Sequence, residues 1–192
     1  MTTLRQTVLI VAGLNLAYFG VEFLAALRAG SVALMADSVD FLEDAAVNSL
    51  IFFALAWTAT RRAAVGKVLA ALLLVPAVAF LWTLGAKLLD PTPPIAAALT
   101  LVGLGALAVN LTAALLLARH RRAEGSLTRA AFLSARNDAL ANIGIIGAGL
   151  VTARHPSIWP DIVVGLVIAA LNLDAAKEVW EAAHDEAEDA QV

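Results

Sequence analysis

The sequence predicts an all-α membrane protein, a bundle of six transmembrane helices with both termini in the cytoplasm. First, hydrophobic residues make up 61% of the 192 residues and charged residues 15%. A soluble domain carries about 25% charged residues, so lipid must cover part of this apolar excess. Second, the chain contains six apolar stretches of about the 20 residues that a spanning helix needs. Third, Lys and Arg are distributed unevenly between the connections that join these stretches.

The six apolar stretches are separated by short connections that contain Gly, Pro or basic residues. They predict helices at approximately 7–27, 32–58, 67–88, 94–118, 128–153 and 159–179. The first stretch resembles a signal peptide, but it contains Asn15 and Glu22 and has no convincing cleavage site, so we expect it to be retained. Residues 1–180 are then expected to form one transmembrane domain, followed by a short acidic cytoplasmic tail at 181–192.

The distribution of Lys and Arg predicts the orientation of the bundle. Nine of these residues lie at the N-terminus, in the second and fourth connections, at the start of the fifth stretch and near the C-terminus, whereas three lie on the opposite side. Because positively charged loops face the cytoplasm, we expect cytoplasmic termini and a multi-pass protein of the plasma (inner) membrane. The nine are Arg5, Arg61, Arg62, Lys67, Arg119, Arg121, Arg122, Arg129 and Lys177, and the three are Arg28, Lys87 and Arg154.

The composition argues against several classes of function. The chain contains no Cys, so any metal ion would be held by oxygen or nitrogen ligands rather than by thiolates. The formal net charge of −3 provides no basic surface for nucleic acid. No phosphate-binding loop, catalytic nucleophile constellation or cofactor motif occurs, so we do not expect an enzyme.

The second predicted helix contains four acidic residues within eight positions. An Asp near the centre of a membrane helix costs about 2.5–3.5 kcal/mol, and each Leu or Val recovers only a few tenths. At about 100° per residue, Asp37, Asp40, Asp44 and Asn48 lie along one stripe of the helix, and Glu43 lies about a quarter-turn away. The stripe predicts a cation-binding surface, in which Asp40 and Asp44 are close enough to share one ion.

The fifth predicted helix carries a complementary polar face. Ser134, Asp138 and Asn142 are spaced by four residues and therefore share one side of the helix. If this side meets the stripe of the second helix, Asp40, Asp44 and Asp138 converge near the midplane of the membrane. Three carboxylates around a dication leave a single net negative charge. Protons compete with a metal ion for such carboxylates, so proton exchange is a natural means to load and release the ion.

Further polar residues lie inside the other predicted helices. Asn15 and Glu22 are two turns apart on one face of the first helix, and Asn110 lies in the interior of the fourth. They either contribute to the site or form interhelical hydrogen bonds that hold the bundle together. Glu43 and Arg136 are predicted to form an ion pair with a structural or gating role, because Arg136 points away from Asp138.

These residues resemble the cation diffusion facilitator family of divalent-metal exporters. The resemblance runs through essentially the whole chain, and its most specific part is the segment 30–44, Gly-Ser-Val-Ala-Leu-Met-Ala-Asp-Ser-Val-Asp-Phe-Leu-Glu-Asp. It implies export of a divalent transition metal from the cytoplasm in exchange for protons. The other matching residues are Asn15, Glu22, the Pro-Thr-Pro-Pro segment 91–94, Asn110, the segment 138–144 and Asp161.

The resemblance also implies the metal ligands, a pair spaced by four residues on each of the second and fifth helices. The pairs map to Asp40 with Asp44 and to Ser134 with Asp138, where Ser134 replaces the His or Asp that the family usually has. The fourth ligand is then Ser134, Asn137 or a water molecule. Zn²⁺ is the first candidate ion, but three Asp and a neutral oxygen form a harder site than one with His, so Cd²⁺, Co²⁺, Mn²⁺ and Fe²⁺ stay open. Secondary candidate ligands are Asp37, Asn137, Asn142, Asn15 and Glu22.

The chain departs from the family in its architecture. Members usually carry a soluble cytoplasmic domain after the sixth helix, whereas this chain stops shortly after it. A homodimer is therefore expected to form through the transmembrane helices. Two alternative functions stay open: a membrane partner or regulatory protein that does not transport and whose acidic residues are structural, and a proton-coupled transporter of another solute.

Overall fold

The computed structural model describes residues 3–54, 78–119 and 126–171, which form six helices and no strand. The predicted all-helical, six-helix architecture is thus confirmed. The helices are α1 (Leu4–Ala29), α2 (Val32–Ala54), α3 (Val78–Leu89), α4 (Ala96–Ala118), α5 (Ser126–Arg154) and α6 (Trp159–Leu171).

The predicted and observed helix ends agree to within three residues at every end that the structure describes. The largest difference, of three residues, is at the start of α1, where a capping motif extends the helix. Several predicted segments lie outside the described residues, as do the side chains of Ser134 and Arg136. These segments are 55–58, 67–77, 172–179 and the acidic tail at 181–192.

Local sequence explains both ends of α1. Thr3 and Gln6 form a capping box, in which the backbone N–H of each residue donates to the side chain of the other, at 3.0 and 3.3 Å. At the other end, Gly30 adopts a left-handed conformation with φ of 59°, which glycine tolerates without steric cost. The resulting tight turn folds α2 back against α1, and the two helices pack antiparallel.

A second antiparallel pair, α4 and α5, packs against the first pair. Small residues allow α4 and α5 to approach closely: Gly103 faces Ile145 and Ile146, and Gly149 faces Thr100. In addition, α1 packs on α4 and α2 on α5, so these four helices enclose a common interior. One buried apolar cluster joins the start of α2 to α3 and α6 through residues such as Phe80 and Ile162.

The apolar surface of the bundle is suited to contact with lipid. Two of the described helices, α1 and α4, are long and apolar enough to cross a membrane, and α3 and α6 are shorter apolar helices. Leu16 on α1 is 56% exposed, and Leu101 and Leu115 on α4 are 69% and 68% exposed. Exposed apolar surface of this extent is rare on soluble monomers. By contrast, α2 and α5 contain charged residues within their length, such as Asp37, Asp40 and Asp138.

The close approach of α4 and α5 predicts that Gly149→Ala destabilises the bundle. A Cβ atom at residue 149 would lie 2.9 Å from the backbone nitrogen of Thr100 and 3.0 Å from Cβ of Leu99. The helices would have to separate, at a cost of about 1–3 kcal/mol. At Gly147 a Cβ atom would meet nothing within 4 Å. Gly147→Ala is therefore the matched control, and it should gain about 0.5–1 kcal/mol from helix propensity.

Thermal unfolding of the detergent-purified variants tests this packing. We expect Gly149→Ala to melt at a lower temperature than the unmodified protein and Gly147→Ala at the same temperature or higher. Equal melting temperatures for the two variants would contradict the observed α4–α5 contact.

Candidate cation site

Polar side chains from four helices meet in three layers along the interior face of α2. Each layer is named here after its Asp residue on α2. The Asp44 layer contains Asn15 and Asn48, the Asp40 layer contains Asp138, and the Asp37 layer contains Glu22, Asn110 and Asn142. Because α2 runs antiparallel to both α1 and α5, residues that are later on α2 meet residues that are earlier on its neighbours. The layers therefore stack one helical turn apart.

In the Asp44 layer, one amide donates to the carboxylate of Asp44 and another to its backbone carbonyl. Nδ2 of Asn15 donates to Oδ2 of Asp44 at 3.3 Å, and Nδ2 of Asn48 donates to the backbone carbonyl of Asp44 at 2.8 Å. Asn15 is fully buried, and its Oδ1 has no hydrogen-bond donor among the described residues. Asn15 thus fixes the rotamer of Asp44, which is half-buried.

In the Asp40 layer, α2 and α5 bring two carboxylates into electrostatic contact. Asp40 and Asp138 are both half-buried, and the charge of Asp138 acts on Asp40. Repulsion between carboxylates in an apolar interior is relieved by a bound cation or by protonation. The described side chains nevertheless contain no set of three His, Cys, Asp or Glu arranged to hold a metal ion.

The Asp37 layer is the most enclosed of the three. Glu22, Asp37 and Asn142 are each 0% exposed and Asn110 is 2% exposed. Nδ2 of Asn110 donates to Oδ1 of Asn142 at 3.0 Å, and Nδ2 of Asn142 donates to Oδ2 of Asp37 at 2.6 Å. The carboxyl group of Glu22 lies within electrostatic range of Asp37, and neither of its oxygens has a hydrogen-bond partner among the described residues. Hydrogen bonds therefore join α4, α5 and α2 in one chain, and Glu22 of α1 is buried near the end of that chain.

The structure places most of the sequence-predicted residues in these layers, with three exceptions. Ser134 and Arg136 lie outside the described side chains, so the Ser134 ligand and the Glu43–Arg136 ion pair stay predictions. Asn137 is exposed, on a different side of α5 from Asn142. Asp37 is fully buried in the interior. The amides of Asn15, Asn110 and Asn142 do form interhelical hydrogen bonds.

A second polar junction, at the start of α2, was not foreseen as a contact. Asp161 of α6 is fully buried and accepts three hydrogen bonds: from Oγ of Ser31 at 2.6 Å, from the backbone N–H of Val32 at 2.8 Å and from that of Ala33 at 3.1 Å. Oγ of Ser31 in turn accepts from the N–H of Leu34 at 3.1 Å. A carboxylate at a helix N-terminus is favoured by the exposed N–H groups and by the helix dipole.

Two neighbouring residues support this junction. A Cβ atom at Gly165 would lie 2.9 Å from the backbone of Val32 and Ala33, so only glycine allows α6 to approach α2 this closely. Lys87 of α3 is only 6% exposed, donates to the carbonyl of Thr92 at 2.8 Å and lies within electrostatic range of Asp161. The junction fixes the N-terminal end of α2, which is the end nearest the Asp37 layer.

Comparison with known proteins gives one match. The family model described as the cation efflux transmembrane domain matches residues 8–183, a range that includes all three layers and the Asp161 junction. No curated protein matches the chain.

Proposed function

The chain belongs to the cation efflux family, membrane proteins that transport divalent metal cations, and from this premise we propose that it exports a divalent transition metal in exchange for protons. The observation that supports the proposal is the Asp40 layer, in which Asp40 of α2 and Asp138 of α5 are both half-buried and lie within electrostatic range of each other. Intramembrane acids that face a bundle interior typically mark an ion pathway.

The proposed ligands are Asp40, Asp44 and Asp138, with Ser134 as the fourth position. Asn15 supports this set by orienting Asp44, as outer-shell hydrogen bonds commonly do at metal sites. The three carboxylates are hard oxygen ligands, so the ion can be Zn²⁺, Cd²⁺, Co²⁺, Mn²⁺ or Fe²⁺, and Zn²⁺ is the first that we would test.

In the proposed transport cycle, the site binds the metal while it is open to the cytoplasm, and protons displace the metal after the site opens to the other side. Metal and protons compete because the ligands bind metal only when they are deprotonated. Helix movements around a fixed midplane site are the usual means of alternating access. We place both termini in the cytoplasm and the protein in the plasma membrane, with any homodimer formed through the transmembrane helices.

Proteoliposomes test the proposal directly. With an acidic lumen, protons leave down their gradient, so we expect uptake of externally added Zn²⁺ to be faster than at equal internal and external pH. Dissipating the gradient with a protonophore should remove this stimulation. Uptake of Zn²⁺, Cd²⁺, Mn²⁺, Co²⁺ and Fe²⁺ measured side by side would identify the preferred ion.

The two alternative functions predict different results in transport and metal-binding experiments. A membrane partner that does not transport would give no gradient-driven uptake of any of the five metals. A proton-coupled transporter of another solute would dissipate a proton gradient only with that solute, and calorimetry would detect no metal binding.

A further inference from the structure

A pair of aromatic rings lies between α1 and α2 at the level of the Asp40 layer. On α1, Asn15 belongs to the Asp44 layer and Glu22 to the Asp37 layer, so Tyr18 lies at the level between them. The ring of Tyr18 packs on the ring of Phe41, with centroids 5.0 Å apart and planes inclined at 50°. Phe41 is only 1% exposed, so this pair fills the α1 side of the interior at that level.

The geometry of α2 separates the rings from the carboxylates. Asp40 and Phe41 are consecutive residues, so their side chains leave the helix about 100° apart. The carboxylate of Asp40 lies within electrostatic range of Asp138 on α5, whereas the ring of Phe41 packs on Tyr18 of α1. At this level the interior is therefore polar between α2 and α5 and apolar between α2 and α1.

Helix α4 holds Tyr18 in this position. The hydroxyl of Tyr18 donates to the backbone carbonyl of Val102 at 2.6 Å. A Cβ atom at Gly105 would lie 3.0 Å from Cζ of Tyr18 and closer still to its hydroxyl, so the ring occupies space that only glycine leaves free. The hydrogen bond and this close approach fix the ring against both α4 and α2.

Buried polar atoms without partners lie on both sides of the two rings. Among the described residues, Oδ1 of Asn15 and Oδ1 of Asn48 have no hydrogen-bond partner in the Asp44 layer, nor do both carboxyl oxygens of Glu22 in the Asp37 layer. Buried water binds to polar groups of this kind, whereas apolar space stays dry. The rings therefore keep water in the Asp44 layer apart from water in the Asp37 layer on the α1 side.

We infer that the Tyr18–Phe41 pair is a barrier that confines the crossing ions to the α2–α5 side of the interior, beside Asp40 and Asp138. Exchange of metal for protons requires that both use one passage. A second passage filled with water on the α1 side would let protons cross without metal. This inference deepens the proposed function and rests on it, because the barrier matters only where ions cross.

The test is the decay of a proton gradient in proteoliposomes without metal, followed with a pH indicator in the lumen and with K⁺ and valinomycin present to dissipate the membrane potential. Tyr18→Ala leaves a space beside the carbonyl of Val102, which can then accept from water, so the gradient should decay at least several-fold faster than with unmodified protein. Tyr18→Phe keeps the ring and should decay at the unmodified rate. Phe19→Ala is the matched control, since it removes a ring that packs on Phe23 of the same helix.

The outcomes separate this inference from the proposed function. Equal decay rates for Tyr18→Ala and the unmodified protein would overturn the inference, as would an equal acceleration by Phe19→Ala or Tyr18→Phe. If Tyr18→Ala does not yield monodisperse protein, Gly105→Ala provides the same test, because its Cβ atom displaces the ring of Tyr18 and should also accelerate the decay. Absence of uptake of all five metals by the unmodified protein would instead refute the proposed function, and this inference with it.

Discussion

Asp44→Ala is expected to lower gradient-driven metal uptake by more than about 100-fold, because it removes a carboxylate that we propose as a direct ligand. Loss of an outer-shell partner alone typically costs about 10–100-fold in metal affinity, and a ligand should exceed that range. The substitution also removes the acceptor of the Asn15 amide, which donates to Asp44 at 3.3 Å. Asp44→Asn keeps an oxygen acceptor for Asn15 and isolates the loss of charge, so it should lose most of the uptake as well.

A substitution of Glu43, the acidic residue next to Asp44, is the control for the Asp44 variants. Glu43 is adjacent in sequence and half-buried, but it lies off the interior stripe. We expect Glu43→Gln to keep metal uptake within a few-fold of the unmodified protein. Uptake should be compared at equal amounts of folded protein, judged by gel filtration. Equal uptake by Asp44→Ala and Glu43→Gln would refute the ligand set, and loss of uptake by both would show that charge alone, and not helix face, matters.

The positions of the helices and the faces of their polar residues follow from local rules and could be predicted from the sequence. A membrane helix needs a long apolar stretch, and its ends occur where Gly, Pro or charge returns, as at Gly30 and Arg154. The period of the helix separates Glu43 from Asp40 and Asp44 without knowledge of the fold. The helix ends and the face on which Glu43 lies can both be predicted because each depends on the sequence of one helix alone.

Pairing between helices could not be predicted in the same way. The sequence places Asn15 and Glu22 on one face of α1, but it does not specify which acid of α2 each residue meets. The register depends on the turn at Gly30 and on packing along the whole pair. As a result, the amide of Asn15 donates to Asp44, whereas the carboxyl group of Glu22 lies within electrostatic range of Asp37.

The contact of Asp161 with α2 is a second contact between helices that could not be predicted from the sequence. An acid in the first turn of a helix ordinarily stabilises its own N-terminus, and nothing in the sequence near residue 161 indicates otherwise. In the structure this carboxylate caps the N-terminus of another helix, 129 residues earlier in the chain. Such a contact depends on the close approach of α6 to α2, which in turn depends on Gly165.

Asp161→Ala is accordingly expected to cause the largest loss of stability of any substitution considered. It leaves the hydroxyl of Ser31 and the backbone N–H groups of Val32 and Ala33 without their acceptor in a fully buried position. Hydrogen bonds to a charged group are each worth about 1.5–3 kcal/mol, and the effects of one network are not additive. We expect a loss of about 3–5 kcal/mol, comparable to breaking a buried charged interaction.

Thermal unfolding in detergent and the yield of monodisperse protein measure this effect. Asp161→Asn keeps one oxygen acceptor and should be intermediate, whereas Asp90→Ala, at an exposed residue, should leave the melting temperature unchanged. Because the junction holds the end of α2 nearest the Asp37 layer, Asp161→Asn protein that does fold should also bind metal more weakly than unmodified protein. In a domain of this size, a loss of about 1 kcal/mol already lowers the melting temperature by roughly 2–4 °C. A melting temperature for Asp161→Ala within about 2 °C of the unmodified value would therefore contradict the prediction. It would mean that water or another group replaces the carboxylate.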